Sequence, residues 1–176
     1  MTMPNPVTLG DSHDFAGDPI VSLMPGGKGN ENFKKILDDI AHLANSAEVD
    51  GVKVPLIFRP WHEMTGSWDW WGEKYSTNEQ YIAAWRYMVD YLRNEKGVHN
   101  MLFAFAPSQV TGHLPSGGFD RYPGDTYVDV IGMDRYDTEN ALQGDSTTYT
   151  QSILADARFV VTFAEKHGKI PAITET

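Results

Sequence analysis

Long amphipathic stretches alternate with short apolar runs along this chain. In the long stretches, apolar residues recur at spacings of three and four positions, which predicts helices with one buried face. The first helix is predicted to begin at Asn30 as its N-cap, with an apolar face made of Phe33, Ile36, Leu37, Ile40, Leu43 and Ala44. A second is predicted over residues 78–96, where Thr77 and Gln80 have the spacing of a capping box. A third is predicted over residues 151–167.

The short apolar runs lie between and after these helices. They cover residues 54–58, 101–106, 127–133 and 170–174, and each has the length and composition of a buried strand. Strands that alternate with amphipathic helices predict an α/β fold with a parallel sheet. Residues 106–127 break this rhythm because they are rich in Gly, Pro and Ser, so they predict a short or irregular crossover.

Composition and charge narrow the possible classes of protein. The 176 residues favour one domain, residues 1–176. The net charge of −10 argues against a nucleic-acid partner, because binding to phosphates depends on clustered Lys and Arg. The sequence has no cysteine, which excludes disulfides, thiolate ligands and a Cys nucleophile. No apolar run approaches the roughly 18 residues of a membrane span, and no basic-then-apolar signal pattern is present, so no membrane association is expected.

The segment after the first apolar run places a carboxylic acid among aromatic residues. Glu63 follows the predicted strand, and four tryptophans lie within eleven residues around it: Trp61, Trp68, Trp70 and Trp71. Indole rings that desolvate Glu63 would raise its pKa, which suits a general acid near neutral pH. The faces of such rings also suit a sugar site, because pyranose C–H groups pack on them. A solvated carboxylate is the alternative, and the aromatic cluster favours the acid.

A metal centre is not expected at this segment. The pair His62 and Glu63 superficially resembles a metalloprotease motif, but the position that would hold the second histidine is Gly66. The segment also lacks a helical period, so zinc is rejected and no cofactor is predicted.

Two further strand ends carry polar side chains that can face Glu63. Glu175 follows the last apolar run, and Asp134 and Tyr136 follow the third. Because the carboxyl ends of parallel strands share one edge of a sheet, two carboxylates can meet there across a cleft, as in glycosidases. Tyr136 could then donate a hydrogen bond to the nucleophile, and Asp134 could orient its neighbours or bind sugar hydroxyls.

These segments together resemble glycoside hydrolase family 26, the β-mannanase family. The resemblance is carried by Arg59-Pro60-Trp61-His62-Glu63-Met64, Gly66-Ser67-Trp68, Trp70-Trp71-Gly72, Tyr81 to Arg86, Lys96-Gly97-Val98-His99-Asn100, Tyr122-Pro123-Gly124-Asp125, Tyr127-Val128-Asp129, Gly132 to Tyr136 and Pro171 to Glu175. It implies a (β/α)8 TIM-type barrel and an endo-acting enzyme that cleaves β-1,4-mannan with retention of configuration.

The resemblance also implies roles for individual residues. Glu63 corresponds to the acid/base after strand four, and Glu175 to the nucleophile after strand seven. The other matching positions are substrate-binding or supporting residues: His62, Trp68, Tyr136 and Asp134. A polysaccharide or oligosaccharide would be the partner, and no metal would be needed.

The chain is shorter than the family's fold requires. A complete barrel takes about 250 residues, so 176 residues would cover roughly strands four to seven with their helices. We therefore expect an incomplete barrel, a partial catalytic domain with two unpaired sheet edges.

Several alternatives stay open at the level of sequence. The chain could be a non-catalytic or inactive fragment that retains carbohydrate binding through its tryptophans. It could also be a relative that acts on mixed-linkage β-glucan or β-1,3-xylan. Secretion or a periplasmic location is expected from the resemblance alone.

Overall fold

The computed structural model describes residues 3–113, 115–137 and 147–176. Its helices are α1 Pro19–Ser22, α2 Asn30–Ser46, α3 Asn78–Asp90 and α4 Thr147–His167. Its strands are β1 Glu48–Val49, β2 Val52–Lys53, β3 Leu56–Phe58, β4 Met101–Phe105, β5 Val130–Ile131 and β6 Ile170–Pro171. Across these three ranges, no helix combines the length and the apolar character needed to cross a membrane.

The main sheet is parallel, and its strands follow the order of the chain. The order is β3-β4-β5-β6, so each strand pairs with the next one in sequence. A parallel bridge between Asp134 and Glu175 continues the pairing of β5 and β6 beyond their ends. This topology confirms the α/β prediction, and it brings the carboxyl ends of all four strands to one edge. The small antiparallel pair β1–β2 was not predicted.

The predicted helices are present, with differences at their ends. Thr77 and Gln80 form the expected capping box at the start of α3, and the last turn of this helix widens into a π-helical segment, Tyr91–Glu95. Asn30 is the first residue of α2 and not its N-cap. Its side chain is used elsewhere, because its Nδ2 donates to the Leu23 carbonyl at 2.7 Å.

The irregular crossover is also confirmed. Between β4 and β5 the described residues form three short 3-10 turns, Thr111–His113, Phe119–Arg121 and Asp125–Tyr127. Arg121 is buried in this segment, and its guanidinium donates to the main-chain oxygen of Trp71 and to Ser76. The crossover is therefore tied to the segment that follows β3.

The prediction of strands buried on both faces is wrong for one face of the sheet. Ile57 and Leu102 are partners in the register of β3 and β4, and they remain 68% and 39% exposed. The neighbouring Phe58 and Phe103 point to the other face, where they contact each other with ring centroids 6.1 Å apart. Side chains alternate across a strand, so packing that covers one face leaves the other open. Leu43, predicted on the buried face of α2, is also exposed.

Three of the four clustered tryptophans belong to the core and do not form a sugar platform. Trp61, Trp70 and Trp71 are at most 2% exposed, whereas Trp68 is 44% exposed. Trp61 packs edge-on against Trp70 with a centroid separation of 5.8 Å, and also contacts Tyr81 of α3. Aromatic pairs of this kind add about 0.5–1.5 kcal/mol beyond the area they bury. The cluster therefore fixes the chain after β3 and leaves Trp68 as its exposed member.

The capping box at the start of α3 gives a prediction about helix stability. We expect Thr77→Ala to lower stability by about 1 kcal/mol, because it removes the side-chain acceptor for the Gln80 amide. The melting temperature should fall by about 2–4 °C, measured by circular dichroism. Thr162→Ala is the matched control, because the Thr162 hydroxyl donates only to the Arg158 carbonyl within α4. An equal fall in melting temperature in both variants would contradict the role of Thr77 as the N-cap.

Candidate active site

The candidate active site lies at the carboxyl edge of the parallel sheet. Arg59 directly follows β3, Asp134 follows β5, and Glu175 follows β6. Tyr136 and His62 lie against Glu175, and Glu63 interacts with the charges of Asp134 and Glu175 and with the Trp68 side chain. The side chains predicted from the sequence therefore lie in one region: Glu63, Glu175, His62, Trp68, Tyr136 and Asp134.

Arg59 links two carboxylates that come from different strands. Its Nη1 donates to Asp134 Oδ2 at 2.6 Å, and its Nη2 donates to Glu175 Oε1. The Asp134 side chain is fully buried, while those of Arg59 and Glu175 are about one quarter exposed. Charge-assisted hydrogen bonds of this kind are about twice as strong as neutral ones. Arg59 therefore fixes the position of Glu175 relative to β3.

Asp134 is the buried support of this arrangement. Its Oδ1 accepts a 2.5 Å hydrogen bond from the Thr174 hydroxyl, and its Oδ2 accepts from Arg59. Burial raises the pKa of Asp134, although the Thr174 hydrogen bond and the Arg59 charge oppose this effect. Because Asp134 has no exposed surface, it acts through its neighbours Arg59 and Thr174.

Glu175 is held in its ionised form. Partial burial disfavours its charge, but hydrogen bonds from Tyr136 and Arg59 and the positive charge of Arg59 outweigh that effect and lower the pKa of Glu175. The Tyr136 hydroxyl donates to Oε2, and this contact contributes most to raising the pKa of Tyr136 to about 12. Glu175 is therefore a carboxylate across the neutral range, with each oxygen accepting a hydrogen bond.

Glu63 is held in the opposite state. Burial raises the pKa of Glu63 to about 7, and the negative charges of Asp134 and Glu175 add to the increase. A hydrogen bond from the Trp68 side chain and the charge of Arg59 oppose it. A carboxylic acid with this pKa can donate a proton near neutral pH.

The main chain that carries Glu63 has an unusual conformation. Trp61 and Glu63 have φ values of 47° and 53°, a left-handed region that costs non-glycine residues about 1–3 kcal/mol each. Hydrogen bonds fix this segment on several sides. The Tyr81 hydroxyl donates to the Trp61 carbonyl, the Trp71 indole donates to the His62 carbonyl, and the Glu63 amide donates to Ala106 at the end of β4.

His62 lies beside the Glu175 carboxylate. Its Nε2 is 3.9 Å from Glu175 Oε1, and burial together with the positive charge of Arg59 lowers the pKa of His62. His62 is therefore neutral at pH 7 and can act as a hydrogen-bonding group beside Glu175.

A metal ion would compete with Arg59 in this site. Three residues each offer one ligand atom here: His62, Asp134 and Glu175. These three atoms lie within 4.8 Å of one another, a spacing that a cation could use. However, one oxygen of each carboxylate already accepts from the Arg59 guanidinium. A cation would have to displace the Arg59 guanidinium from both carboxylates, so the donor set does not favour a metal.

Comparisons with known proteins show which family the chain resembles over its length. Residues 11–175 match the sequence profile of Glycosyl hydrolase family 26. A mannan endo-1,4-β-mannosidase of Bifidobacterium adolescentis is 41% identical over 169 residues, which are 94% of this chain and 17% of that protein. The chain therefore spans about a sixth of that relative.

Solved structures are similar over almost the whole chain. The catalytic domain of a family 26 endo-β-1,4-mannanase from Bacillus sp. JAMB-750 has a TM-score of 0.90 and 38% identity, over 99% of this chain and 44% of that one. A modular endo-β-1,4-mannanase from Cellulomonas fimi has a TM-score of 0.89 and 38% identity, over 98% of this chain and 38% of that one.

The fold is that of part of a (β/α)8 barrel with polar side chains gathered at its strand ends. More narrowly, the chain belongs to Glycosyl hydrolase family 26. Its four parallel strands form an incomplete (β/α)8 barrel, as the resemblance implied. The exposed Ile57 and Leu102 lie on the face that such a barrel turns inward.

Arg59 is the site residue that sequence reasoning did not single out. The sequence shows it as part of a motif but indicates no role for it. The available signal was its position, because a charged residue directly after an apolar strand lies at the edge where reactive side chains gather. Thr174 was missed in the same way.

The buried position of Asp134 makes the Arg59 contact testable. We expect Arg59→Met to lower the free energy of unfolding at pH 7 by about 3 kcal/mol, because it leaves a buried carboxylate without its partner. It should also raise the pKa of Glu175, measured by NMR of the side-chain carboxyl carbon.

Arg93→Met is the matched control for this variant. Arg93 also pairs with a carboxylate, Asp129, at 3.3 Å, but both groups are more exposed. We expect a loss of about 1 kcal/mol or less and no change in the titration of Glu175. Urea denaturation measures the free energy of unfolding of both variants. Equal losses, or an unchanged pKa of Glu175 in Arg59→Met, would argue against the role of Arg59 in holding Asp134 and Glu175.

The raised pKa of Glu63 predicts a pH-dependent effect on stability. Its folded value of about 7 exceeds the ordinary 4.5, so the contribution of Glu63 is full below 4.5 and is lost as the pH rises through 7. Because Glu63 is only half buried, we discount the effect to about 1 kcal/mol. We compare the melting temperature of Glu63→Gln with that of the unmodified chain at two pH values. The difference should be more favourable to the variant by about 2–4 °C at pH 8.5 than at pH 4.5.

Glu79→Gln is the control with the opposite sign. The Glu79 carboxylate accepts hydrogen bonds from its own amide and from the Thr77 side chain, and these lower the pKa of this exposed residue at the start of α3. Its replacement should therefore be less favourable at pH 8.5 than at pH 4.5. The same pH dependence for both variants would refute the assignment to Glu63.

Proposed function

We propose that this chain is part of the catalytic domain of an endo-acting, retaining glycoside hydrolase that cleaves β-1,4-mannosidic bonds in mannan-type polysaccharides. Residues 1–176 would form one unit of that domain. The observation that carries the proposal is the pair of glutamates at the strand ends, one favouring the protonated form and the other the ionised form.

The reaction needs these two states at the same time. In the first step, ionised Glu175 attacks the anomeric carbon while the Glu63 carboxyl gives its proton to the departing glycosidic oxygen. A covalent glycosyl-enzyme forms on Glu175, so the charge on Glu175 disappears. The pKa of Glu63 then falls, and Glu63 can take a proton from the water that releases the sugar. For this outcome we predict carboxyl groups about 5–5.5 Å apart.

The neighbouring side chains support this assignment. Arg59 and Tyr136 each donate to one oxygen of Glu175, which orients the carboxylate and keeps it ionised. His62 is neutral and lies beside Glu175, where it can contact a sugar hydroxyl. Trp68 is exposed next to Glu63 and offers a ring face to a sugar. Asp134 supports Glu175 through Arg59.

The choice of mannan rests on the relatives. The Bifidobacterium adolescentis protein is named as a mannan endo-1,4-β-mannosidase, and the Bacillus and Cellulomonas fimi structures are described as endo-β-1,4-mannanases. A purely binding function is less favoured, because three of the four clustered tryptophans are buried in the core.

Variants of the two glutamates test the mechanism. We expect Glu175→Ala to lower turnover of β-1,4-mannan at least about 1000-fold, because no covalent intermediate can form. Glu63→Ala should lose as much on mannan but retain activity on aryl mannosides with very good leaving groups, which need no proton in the first step. Release of reducing sugar and of the aryl group measures the two activities.

The outcomes separate the alternatives. Equal loss of both activities in Glu63→Ala would contradict its role as the acid. Cleavage of mixed-linkage β-glucan or β-1,3-xylan in preference to mannan would overturn the substrate assignment but would not contradict the mechanism. A binding function would be shown instead by two results together. Both variants would still bind mannooligosaccharides, and the unmodified chain would hydrolyse none of the three polymers.

A further inference from the structure

Asp156 is a buried carboxylate that the proposed mechanism does not use. It lies on α4, and its side chain has no exposed surface. Its Oδ2 accepts from Arg135 Nη1 at 2.6 Å, and its Oδ1 accepts from the main-chain amide of Thr111 at 2.7 Å. A buried charge is costly unless it is paired and hydrogen-bonded, and here both oxygens have a donor. These contacts attach α4 to the segment after β5 and to the crossover before it.

Tyr149 contacts the same segment from the same helix. Tyr149 and Asp156 lie about two helical turns apart, so they share one face of α4. The Tyr149 hydroxyl donates to the Arg135 carbonyl at 3.4 Å, and it also contacts the hydroxyl of Thr176, which directly follows Glu175. We call Tyr149 and Asp156 the α4 clamp. The clamp holds the segment after β5 and reaches the segment after β6.

Arg135 is held at both ends of its main chain and at its side chain. Its amide donates to the Glu175 carbonyl at 3.1 Å. Its carbonyl accepts from Tyr149, and its guanidinium donates to Asp156. The planar peptide unit that begins at the Arg135 carbonyl leads directly into Tyr136. Fixing this peptide therefore fixes the direction in which Tyr136 leaves the strand end.

We propose that the α4 clamp is a pair of positioning residues that, by holding Arg135, keep the Tyr136 hydroxyl on Glu175. Tyr136 donates to Glu175 Oε2 although its side chain is 47% exposed, so burial of its own ring contributes little to this placement. The consequence for catalysis rests on the proposed function, whereas the placement of Tyr136 does not.

The titration of Glu175 tests the proposal without any need for turnover. Partial burial disfavours the charge of Glu175, and the hydrogen bond from Tyr136 is the strongest of the contacts that outweigh it and lower the pKa. Tyr136→Phe should therefore raise the pKa of Glu175, measured by NMR of the side-chain carboxyl carbon, and it gives the full size of the effect. Asp156→Asn should raise this pKa by roughly half as much or more. Removal of a negative charge by itself would lower the pKa of Glu175, so a rise reports the displaced donor.

A combined variant separates the position of Tyr136 from the stability of the fold. Asp156→Asn should lower the melting temperature both in the unmodified chain and in the Tyr136→Phe background. In the Tyr136→Phe background it should cause no further rise in the pKa of Glu175, because the donor is already absent. Equal rises in both backgrounds, or an unchanged pKa of Glu175 in Asp156→Asn alone, would overturn the proposal.

Asp129→Asn is the matched control. The Asp129 carboxylate also accepts from a main-chain amide, that of Phe103 at 2.9 Å, and from a guanidinium, that of Arg93 at 3.3 Å. It directly precedes β5 and so lies at the opposite edge of the sheet. Asp129→Asn should lower the melting temperature and leave the pKa of Glu175 unchanged. The same rise in the control and in Asp156→Asn would show that the pKa follows general destabilisation and would refute the clamp.

Tyr149→Phe covers the case in which Asp156→Asn is poorly folded. This change removes a single hydroxyl from the clamp. It should raise the pKa of Glu175 in the unmodified chain and not in the Tyr136→Phe background. An unchanged pKa of Glu175 in Tyr149→Phe would contradict the clamp.

Hydrolysis measures the catalytic consequence separately. Under the proposed function, Asp156→Asn should lower kcat on β-1,4-mannan about 10-fold with little change in KM, as expected for the loss of one hydrogen bond to a charged group. An absence of hydrolysis in the unmodified chain would refute the proposed function, and the titration of Glu175 would still decide whether the clamp positions Tyr136.

Discussion

The site depends on one guanidinium that joins three strand ends. Arg59 follows β3, and its two donors bind the carboxylates of Asp134 after β5 and Glu175 after β6. Without the arginine, two negative groups would lie together in a partly buried site, where each raises the pKa of the other. The guanidinium therefore sets both the geometry of the strand ends and the ionised state of Glu175.

The same burial produces opposite results at the two glutamates. Glu175 receives donors from Arg59 and Tyr136, so its charge is stabilised. Glu63 receives a single opposing hydrogen bond from Trp68 and faces two negative groups, so its proton is retained to about pH 7. The left-handed backbone at Glu63 is held by hydrogen bonds from neighbouring segments, among them the one from the Glu63 amide to the Ala106 carbonyl. Strain of about 1–3 kcal/mol is offset by the buried hydrogen bonds around it.

Sequence patterns were sufficient for the helices, the parallel sheet and the strand ends that carry the acidic residues. They were not sufficient for Arg59, because a motif shows which residues occur together and not which atoms meet across strands. They also misplaced three of the tryptophans, because an indole cluster has the same composition on a surface and in a core. Tertiary contacts such as that of Trp61 with Tyr81 of α3 distinguish the two. Ile57 was expected to be buried, and its exposure follows from packing on one face of the sheet only.

The open face makes β3 the critical strand of the site. β3 has only three residues, and within the described part of the chain it pairs with β4 alone. At its start, Asn100 accepts from the Leu56 amide and donates to the carbonyls of Ala44 and Val54, which ties α2, β3 and β4 together. At its end, Arg59 ties it to the two carboxylates. Because these contacts act at both ends, the strand that carries Arg59 keeps its register even though Ile57 contributes little buried area. The geometry of the acidic pair therefore relies on polar contacts at the strand termini more than on the apolar centre of β3.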